Sequence, residues 1–258
     1  MTQSDRKTLY LVDVSNMFFR AFYAIPRLTN SKGMPTNALY GFVGMTIKLL
    51  RENSPDYIAF CLDQPEPSFR DELYSEYKAN RQEPPDDLKP QIPYLNRIIE
   101  VLGIPILQMK SYEADDVIGT LACEAARAGV DAVIVSGDKD FAQLVNGHVS
   151  LYDTMKNVRY DREGVIAKWG IPPEQMIDYL AIVGDTSDNI PGIRGVGPKG
   201  AVKLLSEFKT LEEIFSGIDS IKSESLKKKI LESREQAELA KRLVTIVTDV
   251  PLGVHVED

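Results

Sequence analysis

Three short apolar runs in this chain each lead into aspartate, and this pattern constrains the possible fold more than any other. The runs and the acids that follow them are residues 9–12 with Asp13, residues 57–62 with Asp63, and residues 132–135 with Asp138 and Asp140. Short β-branched runs separated by helical stretches are typical of buried parallel strands. The carboxyl ends of parallel strands meet at one edge of a sheet, so we expect these acids to lie together.

Further acids occur at two other places that a sheet fold would bring to the same edge. Glu113, Asp115 and Asp116 open a segment with helical periodicity, and Asp185 and Asp188 lie in a Gly-Asp-Thr-Ser-Asp segment. A structural alternative exists for each place, because aspartates cap helices and turns, and acids in a first turn suit the helix dipole. That alternative explains one segment well but does not explain all of them together.

The clustered carboxylates require cations, because so many like charges cannot stay ionised together without them. Oxygen ligands with no His or Cys among them favour Mg²⁺ or Mn²⁺ over zinc. The formal net charge of −8 would be close to neutral without these acids. A negative total is therefore compatible with a polyanionic substrate, provided that the basic residues are locally grouped.

The composition is typical of an intracellular globular protein. At 258 residues and 43% hydrophobic content, the chain can bury a full core. Residues 1–7 are polar, and no stretch approaches the roughly 18 apolar residues of a membrane span. Cys61 and Cys123 lie in apolar surroundings, which favours buried free thiols in a reducing compartment. We therefore expect a cytoplasmic protein that does not bind membranes.

Hydrophobic periodicity divides the chain into two parts. Further strand candidates lie at 104–107 and 149–152. Helical spacing occurs at residues 37–51, 92–102, 114–128, 174–183, 200–208, 211–215 and 226–245. These patterns predict an α/β fold with a mostly parallel central sheet flanked by helices over residues 1–165. A helical lobe follows over residues 166–258.

Residues 64–93 differ from their surroundings, because they are polar, punctuated by prolines and poor in apolar anchors. The composition predicts an exposed insertion with one or two helices that is mobile without substrate. Lys78 and Arg81 lie three apart within it, beside aromatics, and could stabilise the charge of a phosphodiester during cleavage. We expect them to reach the site only after a substrate orders the insertion. The alternative is a solvated charged face.

The Gly-Val-Gly-Pro-Lys-Gly segment that begins at Gly195 matches the spacing of a dinucleotide-binding loop. Such a loop follows a strand, whereas this segment lies between two predicted helices, so we interpret it as a helix–hairpin–helix turn. Gly195 and Gly197 would let backbone N–H groups approach a phosphate, and Arg194 and Lys199 would add positive charge. The alternative is a plain helix connector, but the two flanking cations favour phosphate binding.

Phe19 and Arg20 follow Asp13 closely enough to lie beside the acidic site. An aromatic ring there could stack on an unpaired base. Core packing is the alternative for the phenylalanine. The prediction is therefore a possible contact to nucleic acid at the rim of the site.

Taken together, these motifs resemble the 5′-nuclease (flap endonuclease) superfamily, most closely the N-terminal 5′→3′ exonuclease domain of bacterial DNA polymerase I. The resemblance covers nearly the whole chain in order. The segments that carry it are Asp13 with Arg20, Phe69-Arg70, Tyr77-Lys78 with Arg81, Glu113 to Asp116, Gly137 to Asp140, Gly184 to Gly192, and Gly195 to Gly197. It departs at Val14 to Met17, where the bacterial pattern more often has glycine and serine.

The resemblance implies a sheet domain, a helical arch at about residues 64–93 and a helix–hairpin–helix lobe that grips duplex DNA. Lys78 and Arg81 match the cations of the arch. The residues that match inner metal ligands are Asp13, Asp63, Asp115, Asp138, Asp140 and Asp188, and those that match outer carboxylates are Glu113, Asp116 and Asp185. The DNA contacts expected in addition are Phe19, Arg20, Arg70, Arg194, Gly195, Gly197 and Lys199.

The implied activity is that of a structure-specific 5′ nuclease acting on 5′ flaps and 5′ ends of DNA, and on RNA primers, in replication and repair. Two Mg²⁺ ions, replaceable by Mn²⁺, would support hydrolysis, and the hairpin could bind K⁺. The expected partner is branched or flapped duplex DNA with a 5′ end. A polymerase domain would be a further partner if the chain is an excised domain.

Two other functions are compatible with parts of the pattern. A phosphatase that uses Asp13 as its nucleophile would want an acid two residues further on, where this chain has Ser15. A non-catalytic module that binds flaps or junctions would be expected to lose some of the acids, and all of them are present. The phosphatase predicts release of phosphate and the module predicts binding, and neither predicts cleavage of a flap.

Overall fold

The structure is a computed structural model that describes residues 6–256. The predicted ranges 1–165 and 166–258 also include residues 1–5 and 257–258, which lie outside the described part. A six-stranded sheet carries helices on both faces, and a helical lobe follows the last strand. This arrangement confirms the predicted α/β fold with a mostly parallel central sheet.

The sheet is formed by short strands, as the brief apolar runs predict. They are β1 Thr8–Asp13, β2 Tyr57–Cys61, β3 Ile106–Leu107, β4 Asp131–Val135, β5 Val149–Asp153 and β6 Val158–Tyr160. Their spatial order is β3-β2-β1-β4-β5-β6, and every neighbouring pair is parallel except β5 with β6. The strand order reverses between β1 and β4, where α/β sheets form their ligand crevice.

Helices lie at the segments with helical periodicity, and two others, at residues 14–24 and 162–169, were not predicted from the sequence. In the sheet-based part they are α1 Val14–Ala24, α2 Asn37–Asn53, α3 Phe69–Leu73, α4 Ile92–Leu102, α5 Ala114–Arg127 and α6 Arg162–Trp169. In the lobe they are α7 Met176–Val183, α8 Pro198–Phe208, α9 Leu211–Ser216, α10 Glu224–Glu232 and α11 Arg234–Val244.

Alternate residues of the central strand pack into two apolar cores. Leu9 and Leu11 of β1 face the core that contains α5, whereas Tyr10 and Val12 face the core that contains α1, α2 and α4. This period of two is expected of a strand that is covered on both faces. The first core continues into the lobe through residues such as Leu180, so the sheet and the lobe share one apolar interior.

Residues 64–93 contain less helix than an arch implies. The five-residue helix α3 begins at a capping box in which Ser68 and Asp71 exchange hydrogen bonds. It ends before Tyr74, whose backbone is extended. Turns follow until a 3-10 turn at Lys89–Gln91 leads into α4. The expected helical arch is therefore mostly a looped segment with one short helix.

The single helix predicted over residues 226–245 is divided into α10 and α11. Between them Ser233 is buried, and its hydroxyl accepts a hydrogen bond from the Arg194 backbone N–H at 3.2 Å. Serine side chains that bind backbone groups compete with helix continuation. The hydrogen bond at this break therefore joins the last two helices to the predicted hairpin. Among the described residues, no helix is both long and apolar enough to cross a membrane.

Candidate active site

The carboxyl ends of β1 and β2 each place an aspartate in hydrogen bonds to a neighbouring segment. Asp13 caps α1 by accepting from the Asn16 N–H at 3.0 Å, and its other oxygen accepts from the Ser136 hydroxyl at 2.9 Å. Asp63 follows β2 and accepts from the Ala114 N–H at 2.9 Å. These carboxylates therefore join β1, α5 and the chain after β4, at the edge that the strand-end pattern predicts.

The start of α5 brings an acid against the cations of the looped segment. Glu113 is the N-cap residue of α5 and forms a capping box with Asp116. Its carboxylate accepts from Lys78 Nζ at 2.7 Å and from the Tyr77 hydroxyl at 3.1 Å. Glu113 therefore joins the start of α5 to residues 77–78.

Burial and mutual repulsion raise the pKa of several of these acids. Burial raises the pKa of Asp13 to about 7, and Asp63 and Asp138 add repulsion. Burial likewise raises the pKa of Asp140 to about 8, again with repulsion from Asp138. The pKa of Asp115 is raised by burial and then by neighbours that include Asp13 and Asp138. Asp138 takes part in all of these repulsions, which places it at the centre of the acidic cluster.

The loop between α7 and α8 brings the remaining two acids, Asp185 and Asp188, to the same cluster. The guanidinium of Arg81 donates to Asp188 at 2.6 Å, as Lys78 does to Glu113. Both predicted cations thus contact site carboxylates. That a substrate orders the segment that carries them stays a prediction.

A cleft of about 300 Å³ opens at this edge of the sheet. Its lining residues are Asp13, Ser15, Asn16, Phe19, Arg20, Asp63, Lys78, Arg81, Glu113, Asp115 and Asp138. Phe19 is 38% exposed, so its ring is open to a ligand. Arg20 pairs with Asp153 at 2.8 Å, and a Cβ at Gly137 would lie 1.8 Å from its Nη1. Glycine at position 137 leaves room for this arginine in its present position.

Arg70 lies in the interior, away from any surface that DNA could reach. It is 3% exposed and donates to both oxygens of Asp116 at 2.7 and 2.8 Å. It also donates to the backbone carbonyls of Leu243 and Thr245 at 2.8 and 2.9 Å, while Asp116 accepts from the Val247 N–H at 2.9 Å. This buried pair joins α3, α5 and the chain around the end of α11. The burial of Arg70 does not fit its predicted contact with DNA, whereas the role of Asp116 as an outer carboxylate stays a prediction.

Tyr77 and Lys139 contact acids of the site but were not assigned a role from the sequence. Tyr77 donates to Glu113 and lies 3.5 Å from a carboxylate oxygen of Asp188. Lys139 forms an ion pair with Asp185. The available signals were weak: Lys139 stands between two acids of the site, and Tyr77 directly precedes one of the predicted cations.

The predicted hairpin lies between α7 and α8. Gly195 has a φ of 76°, a conformation that side chains disfavour, and Gly197 directly precedes α8. Arg194 and Lys199 are both exposed. A cavity of about 500 Å³ borders the two glycines and Lys203. The arrangement leaves backbone and cationic groups open to a phosphate chain, as the predicted helix–hairpin–helix turn requires.

The acidic cluster has the properties of a site for divalent cations. Asp140 Oδ1 is buried without a hydrogen-bond partner in the described chain, although Lys139 Nζ lies 3.6 Å away. The donors are carboxylate oxygens, and burial and repulsion raise the pKa of Asp13, Asp115 and Asp140. A cation would remove this repulsion. Within residues 6–256, no three His, Cys, Asp or Glu side chains already form a metal cage.

Two family descriptions match the chain over consecutive ranges. The N-terminal resolvase-like domain of 5′-3′ exonucleases matches residues 8–170, and the C-terminal SAM fold of 5′-3′ exonucleases matches residues 171–258. The chain belongs to the 5′-3′ exonuclease family. DNA polymerase I of Caldicellulosiruptor bescii is 44% identical over 97% of this chain and 30% of that protein. The 5′-3′ exonuclease of Aquifex aeolicus is 40% identical over 98% of this chain and 86% of that protein.

This member of the 5′-3′ exonuclease family therefore spans about three tenths of the DNA polymerase I relatives that it matches. Among solved structures, it is similar to the flap endonuclease of bacteriophage T5 in a pseudo-enzyme–product complex with DNA and metal ions. The TM-score is 0.76 at 25% identity, over 92% of this chain and 89% of that chain. The comparison confirms the sheet with its C-terminal helical lobe.

Proposed function

We propose that the chain is a structure-specific 5′ nuclease that hydrolyses phosphodiesters at 5′ flaps and 5′ ends of DNA, and in RNA primers, in replication and repair. The observation that carries this proposal is the assembly of acids from five segments, together with two cations, around one cleft. Membership of the 5′-3′ exonuclease family supports it. The similar phage enzyme, which binds DNA and metal ions, supports it further.

The acids would hold two Mg²⁺ ions, with Mn²⁺ as a substitute. When bound, such ions lower the pKa of water and neutralise charge on a phosphate. The proposed direct ligands are Asp13, Asp63, Asp115, Asp138, Asp140 and Asp188, with Glu113 and Asp185 acting through water. The buried pairing of Asp116 with Arg70 suits a structural role instead.

The cations give the cleft its affinity for a phosphodiester. An acidic cluster repels a phosphate, so the substrate needs positive charge at the rim of the site. Lys78 and Arg81 line the cleft and can exchange their present carboxylate partners for phosphate oxygens. Held there, they would offset the charge that develops as the phosphodiester bond breaks. The exposed ring of Phe19 could stack on a base next to that phosphate.

A second contact would grip the duplex part of the substrate. Arg194, Gly195, Gly197 and Lys199 offer charge and backbone N–H groups at the hairpin, and we propose that they bind a phosphate chain, with K⁺ as a possible bridging ion. The cleft would then select a free 5′ end while the hairpin holds the duplex. A polymerase domain is a proposed partner, because several relatives are DNA polymerases of greater length.

The test is cleavage of a duplex that carries a labelled 5′ flap. We expect shortened 5′ products with Mg²⁺, none with EDTA, and none with Asp138→Asn. A matched Asp219→Asn variant should cleave normally, because Asp219 lies in a 3-10 turn outside the cleft. Binding of the flap DNA without cleavage would indicate a non-catalytic junction-binding module. Release of inorganic phosphate from an uncut 5′ end would indicate a phosphatase.

A further inference from the structure

Lys139 is a cation of the site to which the proposed chemistry assigns no role. Its side chain is 37% exposed and pairs with Asp185, whose side chain is 7% exposed. Its Nζ also lies 3.6 Å from Asp140. The lysine therefore links the chain after β4 to the loop between α7 and α8.

Asp185 organises that loop, residues 184–190, around the contact with Lys139. Its Oδ1 accepts from the Ser187 N–H at 2.7 Å and from the Asp188 N–H at 3.4 Å, while Oδ2 accepts from Lys139. Its backbone pairs with that of Ile190 in both directions, at 2.8 and 2.7 Å. Both oxygens of the carboxylate thus accept from protein donors, which fixes the shape of the loop.

The 184–190 loop in turn holds residues 76–81, which carry the two proposed catalytic cations. Three hydrogen bonds join them: the Lys78 N–H to the Asp188 carbonyl at 3.0 Å, Asn80 Nδ2 to the Thr186 carbonyl at 2.6 Å, and Asn189 Nδ2 to the Glu76 carbonyl at 2.7 Å. The Arg81 guanidinium adds an ion pair to Asp188. A shift of the loop would therefore shift both cations.

We propose that Lys139 is a positioning residue. By anchoring Asp185 it fixes the 184–190 loop, and through that loop it sets the position of Lys78 and Arg81 over the cleft. Lys139 does not contact the substrate in this role. The kinetic consequence rests on the proposed nuclease function, whereas the effect on loop order concerns the protein alone.

Hydrogen exchange of the metal-free protein in EDTA tests the positioning role without any substrate. Lys139→Met keeps the length of the side chain but removes its charge. We expect amides in residues 76–81 and 184–190 to exchange at least about tenfold faster, because the hydrogen bonds that protect them open more often. Lys139→Arg keeps the ion pair and should restore most of the protection.

A matched control is Lys241→Met. Lys241 pairs with Asp178 at 2.7 Å, and the exposures of the two side chains, 30% and 7%, are close to those of Lys139 and Asp185. This variant should lose a comparable ion pair while leaving exchange in residues 76–81 and 184–190 unchanged. Similar acceleration in both variants would mean that Lys139 acts only through global stability, which would overturn the proposal.

Single-turnover cleavage of flap DNA then measures the consequence for catalysis. A displacement of catalytic groups by about 1 Å can cost roughly 100-fold, so Lys139→Met should slow cleavage by about 10- to 100-fold with nearly unchanged DNA affinity. Slow cleavage with wild-type exchange would mean that Lys139 binds phosphate directly, and the proposal would be wrong. Accelerated exchange in a protein whose wild type does not cleave flaps would refute the proposed function but not the anchoring role.

Discussion

Replacing Asp116 by asparagine tests whether this acid stabilises the fold, in contrast to the acids of the cleft. Asp116 is fully buried and receives both amino groups of the Arg70 guanidinium, at 2.7 and 2.8 Å. An asparagine has the same shape, but its amide would place a donor against one of those donors. The variant would leave Arg70 charged, buried and only partly compensated by Glu113 at 3.4 Å.

The expected loss of stability follows from that geometry. Removing one partner of a buried ion pair costs about 3–5 kcal/mol, because an uncompensated charge remains in the interior. Glu113 offsets part of the loss, so we expect about 3 kcal/mol for Asp116→Asn. In a domain of this size that corresponds to a decrease in Tm of roughly 6–12 °C. Arg70→Met combined with Asp116→Leu should cost less than the sum of the single changes, because no charge is stranded.

Urea unfolding in EDTA, followed by circular dichroism, measures these differences without any contribution from bound metal. Asp138→Asn is the matched control, because it makes the same chemical change at the centre of the repelling cluster. It keeps an acceptor for the Asp140 N–H, which donates to Asp138 at 3.0 Å. Its stability should equal or exceed that of the wild type, while flap cleavage is lost. Equal destabilisation by the two substitutions would refute the division between Asp116 and the cleft acids.

Three other predictions concern binding, chemistry and pH. Lys199→Ala should weaken duplex binding at all sequences and lower the slope of the logarithm of the binding constant against the logarithm of the salt concentration by about one unit. Single-turnover cleavage at saturating enzyme should be nearly unchanged. Unaltered binding at low and moderate salt would contradict the hairpin contact. Lys78→Ala and Arg81→Ala should each slow single-turnover cleavage by about 10²–10³-fold, and wild-type rates in both would remove these cations from the mechanism. Because burial raises the pKa of Asp13 to about 7 and that of Asp140 to about 8, the metal-free fold holds protons that the unfolded chain has released. Its stability should therefore fall as pH rises from about 4 to 8, and a Tm in EDTA that rises between pH 5.5 and 8 would argue against burial of these acids.

The parts of the site that the sequence predicted depend on local patterns. Asp13 and Asp63 follow apolar runs, and a parallel sheet brings the ends of such runs together whatever the rest of the chain does. The hairpin at Gly195 was predictable for a similar reason, since two helical periods flank a glycine-rich turn. These inferences required only the period of the apolar residues and the positions of breakers.

The parts that were not predicted depend on contacts between distant segments. Arg70 has the same sequence context whether it faces DNA or the interior, and only the position of the chain near Leu243 and Thr245 decides between them. The pairing of Lys139 with Asp185 likewise requires the lobe to pack against the sheet. Sequence periodicity reports which side of an element is apolar, but it does not report which distant carbonyl or carboxylate a charged group meets.

The separation of the site residues along the chain has a consequence for biosynthesis. Tyr77 and Asp188 meet in the folded protein, yet they are 111 positions apart in sequence. At about 5–20 residues per second, a ribosome needs roughly 5–20 s to add that length. During this interval the strands that carry the first acids are available, but the loop that holds residues 76–81 has not been made. A chain that folds as it is made would therefore gather its first acids before residues 76–81 are held over them, so the proposed site would be complete only after the 184–190 loop has emerged.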